Sequence, residues 1–134
     1  MNHRITLLGT LAYTLVTFPL AAIWHVALFE DMYEGFGYFI GEPNFVLGFL
    51  TIIIQGFTLS LLFPLFNLSG TSLSKGIKYS LLVGVFFWSS HVLAFVAKQA
   101  IDNSAGFIVI ESFYLLLQFA IYGFLIGLIH KKYA

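Results

Sequence analysis

The chain has 134 residues, of which 60% are hydrophobic and only 9% charged, with a formal net charge of zero. A soluble domain carries roughly 25% charged residues, and a basic groove of the kind nucleic acid needs is missing from the sequence. With no cysteine, disulfides, thiolate metal sites, iron–sulfur clusters and thiol redox chemistry are all excluded.

The few charges are clustered. Ile5 to Phe29, Pro43 to Leu68 and Tyr79 to Ala97 carry no Asp, Glu, Lys or Arg, and Phe107 to Ile129 carries only Glu111. A bilayer core of roughly 30 Å takes about 20 helical residues, so the four stretches predict an all-α, integral membrane four-helix bundle in one domain, 1–134. The predicted helices span residues 5–29, 43–67, 78–98 and 106–130. A β-barrel would alternate apolar and polar residues over about ten positions, and these stretches do not.

The first helix follows Met1-Asn2-His3-Arg4. Its apolar run exceeds a signal-peptide core of roughly 7–15 residues, which predicts a retained helix. It ends at Glu30-Asp31. The connection from Glu30 to Glu42 is acidic, glycine-bearing and aromatic, through Tyr33, Phe36, Tyr38 and Phe39. It reads as an interfacial loop with aromatics at headgroup level, with a lid or a cation-attracting mouth as the alternative.

Pro43 suits the first turn of the second helix, and Pro64 predicts a kink at its far end. The cluster Asn67 to Ser72 is a turn, and Asp102 to Gly106 separates the last two helices. Arg4, Lys75, Lys78, Lys131 and Lys132 fall on one side of the bundle and Lys98 on the other, which predicts cytoplasmic termini.

Two segments echo each other. His25-Val26-Ala27-Leu28-Phe29 pairs with His91-Val92-Leu93-Ala94-Phe95, and Ile52-Ile53-Ile54-Gln55 pairs with Leu115-Leu116-Leu117-Gln118. Tandem two-helix repeats follow, each with a histidine in its first helix and a glutamine in its second.

Helical spacing gives each helix one polar or small-residue face. The tracks are Thr14, Phe18, Ala21, His25; Asn44, Gly48, Thr51, Gln55, Thr58; Ser80, Gly84, Trp88 (or Phe87), His91; and Glu111, Tyr114, Gln118, Tyr122. Polar groups in a membrane helix turn toward the bundle interior. At about 1.5 Å per residue, His25, His91 and Glu111 share an outer layer. Gln55 and Gln118 share a middle layer with Thr51, Thr58, Tyr114 and Tyr122.

Two histidines and a carboxylate are the ligand set of many non-haem iron sites and some zinc sites, so His25, His91 and Glu111 are candidate metal ligands. Alternatively, the two histidines ligate a haem iron axially, framed by Phe18, Phe87, Trp88 and Gly84. In a third reading the same groups bind or conduct a cation, a proton or a small polar ligand. In a fourth they only lock the bundle of an accessory subunit in a larger membrane complex, with Trp24 and Trp88 in an aromatic belt. Oligomerisation, for instance as a homodimer, accompanies the transport reading. No hydrolase elbow, phosphate loop or zinc-protease signature is present. Ser89 and Ser90, beside His91 in sequence, do not face it on a helix.

The run Ala22 to Phe29 resembles the opening of a family of small bacterial four-span membrane proteins of unknown function. Glu111-Ser112-Phe113-Tyr114-Leu115-Leu116-Leu117-Gln118, ending in Gly123 to Gly127, is similar to that family's last helix. The resemblance implies a four-helix fold in a bacterial inner membrane and no particular activity.

Overall fold

A computed structural model describes residues 2–134, and the described residues are helical throughout, apart from turns. Four helices are long and apolar enough to cross a membrane: α1 (His3–Leu28), α3 (Phe45–Leu65), α4 (Ser72–Lys98) and α5 (Ser104–Tyr133). A short helix, α2 (Glu30–Gly35), follows α1.

Side-chain caps start the long helices. Asn2 Oδ1 accepts from Arg4 N at 3.2 Å, Asn44 Oδ1 from Leu47 N at 2.9 Å, Thr71 Oγ1 from Ser74 N at 3.3 Å and Asn103 Oδ1 from Gly106 N at 3.2 Å. Each satisfies a backbone donor that a helix start leaves open. The third spanning helix therefore begins at Ser72, not near 78. Lys75 and Lys78 lie in its first turns, and Lys78 Nζ reaches back to Ser69 O at 3.1 Å. Pro64 ends α3 within a 3₁₀ turn, Phe63–Leu65, where its missing N–H costs least.

Two segments depart from α-helical register. The last six residues of α1, Ile23–Leu28, are π-helical, as are Ser89–Leu93 within α4. Each contains one of the echoed histidines. A π register leaves carbonyls for side chains: Ser90 Oγ donates to Phe86 O at 3.0 Å, and His25 Nδ1 lies 2.9 Å from Ala21 O. Such bulges recur at functional sites.

α1 packs on α3 and on α5, and α5 packs on α4. Glycines set the closest approaches. A Cβ on Gly76 would lie 2.4 Å from Gly123 O and 2.7 Å from Gly127 Cα, so α4 and α5 meet backbone to backbone. A Cβ on Gly9 would lie 2.5 Å from Ser60 Oγ across the α1–α3 contact. These contacts, with Tyr122 and Ile126 fully buried, seal the half of the bundle that carries the termini. Asn2 Nδ2 donates to Tyr133 O at 2.6 Å and ties the two termini together at that end.

α3 and α4 pack little on each other; Tyr79 OH donates to Leu59 O between them at 2.7 Å. Their outward apolar side chains, such as Val46 and Phe86, are exposed as expected of lipid-facing positions.

The connection after α1 is not the interfacial loop expected from its composition. Glu30 to Gly35 is helical, Tyr33 is fully buried and Phe36 nearly so. Gly37 and Gly41 turn the chain at φ 69° and 78°, a region glycine adopts without strain. Asp102 N donates to Phe36 O at 3.3 Å, tying this segment to the α4–α5 connection. The segment is a lid packed into the bundle, held by aromatic contacts between Tyr33, Phe36, Tyr38 and Phe107.

Candidate functional site

Beneath the lid, three helices and α2 converge on Glu111, which is completely buried. His25 Nε2 lies 3.2 Å from both carboxylate oxygens and His91 Nε2 lies 2.9 Å from Oε1. Tyr33 OH donates to Oε2. Trp24 Nε1 donates in turn to Tyr33 OH at 3.1 Å. Rings enclose the group: His25 stacks on Tyr38 at 5.8 Å and meets Tyr114 edge-on at 4.7 Å.

The hydrogen bonds restrict where protons lie. A carbonyl only accepts, so His25 Nδ1 carries the proton shared with Ala21 O. One further proton serves the contact between His25 Nε2 and Glu111. With that proton on His25, the site is an imidazolium–carboxylate pair; with it on Glu111, both groups are neutral. The pair has zero net charge either way, which is what a low-dielectric interior tolerates. The centre can therefore hold a proton at either of two adjacent atoms without changing its net charge.

Outside the spans, burial pushes the Tyr33 and Tyr38 hydroxyls well above the ordinary tyrosine range, and the nearby Glu111 carboxylate pushes them further. Below the ordinary tyrosine value of about 10 both remain protonated whether the chain is folded or unfolded. Above it the unfolded chain ionises first, so their contribution favours folding less as pH rises. In a 295 nm titration Tyr33 and Tyr38 should remain un-ionised well past pH 10 until the fold is lost; Tyr33→Phe and Tyr38→Phe would leave the early tyrosinate signal unchanged.

A second polar layer lies deeper. Gln118 Nε2 donates to Tyr13 OH at 3.0 Å, and Tyr13 OH donates to Gln55 Oε1 at 3.1 Å. Tyr13 is fully buried and bridges the two glutamines. Below it, Ser60 and Tyr122 share a hydrogen bond at 3.1 Å.

A cavity of about 580 Å³ joins the two layers, with His25, His91, Tyr114, Gln118, Gln55 and Tyr38 among its walls. It is bordered by α1, α3, α4 and α5, at the side where α3 and α4 pack little on each other. The His25 side chain is 10% exposed and that of His91 41%, and both residues line the cavity.

The structure thus brings together His25, His91, Glu111 and Tyr114, and separately Gln55 and Gln118. Trp24 supports the centre through Tyr33. Trp88 lies elsewhere: its Nε1 donates to Ser112 Oγ at 2.8 Å across the α4–α5 contact, outside the main cavity. Thr58 is exposed rather than part of the middle layer, and Tyr122 lies below that layer with Ser60. Trp88→Phe is expected to leave the centre intact and to cost about 1 kcal/mol, measured by thermal unfolding in detergent.

Among the described residues, no group of three His, Asp or Glu side chains has the geometry of a metal site. The Nε2 atoms of His25 and His91 meet the carboxylate instead. Glu111 Oε1 lies between the two rings, 3.2 Å from His25 Nε2 and 2.9 Å from His91 Nε2.

Sequence reasoning missed Tyr13 and the site role of Tyr33. Tyr13 belongs to the strict four-step track Gly9, Tyr13, Thr17, Ala21, His25, a signal that was present. Tyr33 and Phe36 are spaced to share one face of a short helix. No known protein family, curated protein or solved structure matches the chain. The roles of its residues rest on their geometry.

Proposed function

We propose that the chain is a multi-pass membrane protein that binds a small molecule with a polar head in the cavity beside Glu111. The carrying observation is continuity: the buried His25–Glu111–His91 centre reaches the cavity through the half-exposed His91 ring. Binding fits the geometry better than conduction. The cavity stops at the glutamine layer, and below it the helices are in glycine-mediated contact. A group that hydrogen-bonds His91 would act on the same carboxylate that His25 and Tyr33 hold, so occupancy would be felt across the centre.

In this reading the terminal end, with Arg4, Lys75, Lys78, Lys131 and Lys132, faces the cytoplasm and the lid faces outward. The chain is two tandem helix pairs, α1–α3 and α4–α5. Its support is that the echoed histidines meet on Glu111 and the echoed glutamines meet through Tyr13. A four-span family of small membrane proteins remains the resemblance that fits this plan.

Organic extraction of purified protein, followed by mass spectrometry, tests the binding. One small molecule near stoichiometry in wild type, depleted in Glu111→Gln and His91→Ala, is expected. Proteoliposomes with trapped pyranine should show no proton flux above empty vesicles. Flux in wild type that Glu111→Gln abolishes, with nothing extracted, would replace binding by conduction.

A further inference from the structure

Three polar atoms of cavity-lining residues have no hydrogen-bond partner among the described residues. His91 Nε2 is committed to Glu111, and Nδ1 makes no hydrogen bond to the described residues. In a neutral ring donating from Nε2, Nδ1 is a bare acceptor. Gln55 Oε1 is committed to Tyr13, which leaves its amide N–H groups free as donors. Thr17 Oγ1, beside the Tyr13 hydroxyl, is buried at 4% exposure with no hydrogen bond of normal geometry. The wall therefore offers an acceptor at the level of Glu111 and donors below it.

The remaining surface is apolar and aromatic, with Phe18, Phe39 and Phe87 on different sides. The gap lies between two helices that face lipid, and Gly48 sits at it with no atom within 4 Å of where its Cβ would be. A water-soluble ligand has no need of such a side opening, whereas a membrane-dissolved one does.

Resting on the binding reading above, we infer that the ligand is lipid-borne: a planar, hydroxyl-bearing head on a hydrocarbon tail, reaching the cavity sideways between α3 and α4. The hydroxyl donates to His91 Nδ1, the head lies among the phenylalanines, and the tail leaves past Gly48 into the bilayer.

The test uses the full chain carrying Trp88→Phe in phosphatidylcholine nanodiscs, with Trp24 fluorescence as the readout. Three probes are titrated: 4-dodecylphenol, its methyl ether, and water-soluble 4-hydroxybenzenesulfonate. Expressed per lipid, 4-dodecylphenol is expected to saturate. Its methyl ether, which cannot donate, should bind about tenfold more weakly, the worth of one hydrogen bond, and the sulfonate should not compete. His91→Ala should weaken dodecylphenol and leave the ether unchanged. Should that variant fail to fold, Gly48→Leu fills open space at the gap and should reduce dodecylphenol binding about tenfold or more. Equal binding of ether and phenol would overturn the hydroxyl contact. Competition by the sulfonate would overturn access from the bilayer while leaving the binding reading intact. Absence of saturable dodecylphenol binding would overturn the inference, and the extraction experiment would still decide the binding reading.

Discussion

Replacing Glu111 by alanine is expected to destabilise the protein by about 3–5 kcal/mol. The side chain is wholly buried and hydrogen-bonded to Tyr33, His25 and His91. Its removal leaves the polar atoms of these three side chains facing one another without a partner in a low-dielectric space and, in the ion-pair state, an uncompensated imidazolium. Buried donors without acceptors cost about 1–3 kcal/mol each before relaxation. Glu111→Gln should cost less, because an amide oxygen still accepts, but it can no longer exchange a proton with His25. Urea or sodium dodecyl sulfate titration in mixed micelles, read by Trp24 fluorescence, separates the two. The lid should loosen first in the alanine variant, since Tyr33 is its anchor. Tyr33→Phe loses the hydrogen bond to the carboxylate and the one accepted from Trp24 Nε1, and is expected to cost about 1–3 kcal/mol by the same titration.

The second large effect lies at the opposite end. Gly76→Leu should separate α4 from α5, because even a Cβ at this position would lie 2.4 Å from Gly123 O and 2.7 Å from Gly127 Cα. Both neighbours are backbone, so no side-chain rotation relieves the overlap. Overpacking of this kind costs about 1–3 kcal/mol when side chains can shift. Here the expected loss is at or above that range, with aggregation or loss of the folded species on size-exclusion chromatography. Gly48→Ala is the control. Its Cβ meets nothing within 4 Å, and the helix gains up to about 1 kcal/mol in propensity. Equal behaviour of Gly76→Leu and Gly48→Ala would mean that α4 and α5 are not in backbone contact.

The four spans were legible because charge is excluded from a bilayer core, and gaps in the charge pattern mark them directly. Their starts were less legible. Lys75 and Lys78 break the apolar window, yet a helix capped by Thr71 accommodates lysines in its exposed first turns. The shared depth of His25, His91 and Glu111 followed from counting residues from the helix ends, and their side chains meet as that depth requires. The lid was not legible, since acid and glycine content reads as turn; what folds Glu30 to Gly35 is the burial of Tyr33 and Phe36 against residues far away in sequence. The π-helical turns that carry both histidines left no mark in the spacing, because a single extra residue per turn is invisible to a periodicity of 3.6. Spacing left Trp88 and Phe87 as alternatives on one track, since they differ by one position; Phe87 borders the cavity and Trp88 turns to Ser112 on α5.

The most direct test is nitrogen-15 NMR of ring-labelled histidine in nanodiscs, with His25 and His91 assigned by substitution. The account predicts His25 with a protonated Nδ1 held by the Ala21 carbonyl, and His91 with a protonated Nε2 and a bare Nδ1. Both spectra should be displaced together in Glu111→Gln. Two histidines that respond independently, or that Glu111→Gln leaves unmoved, would contradict a single carboxylate-centred site.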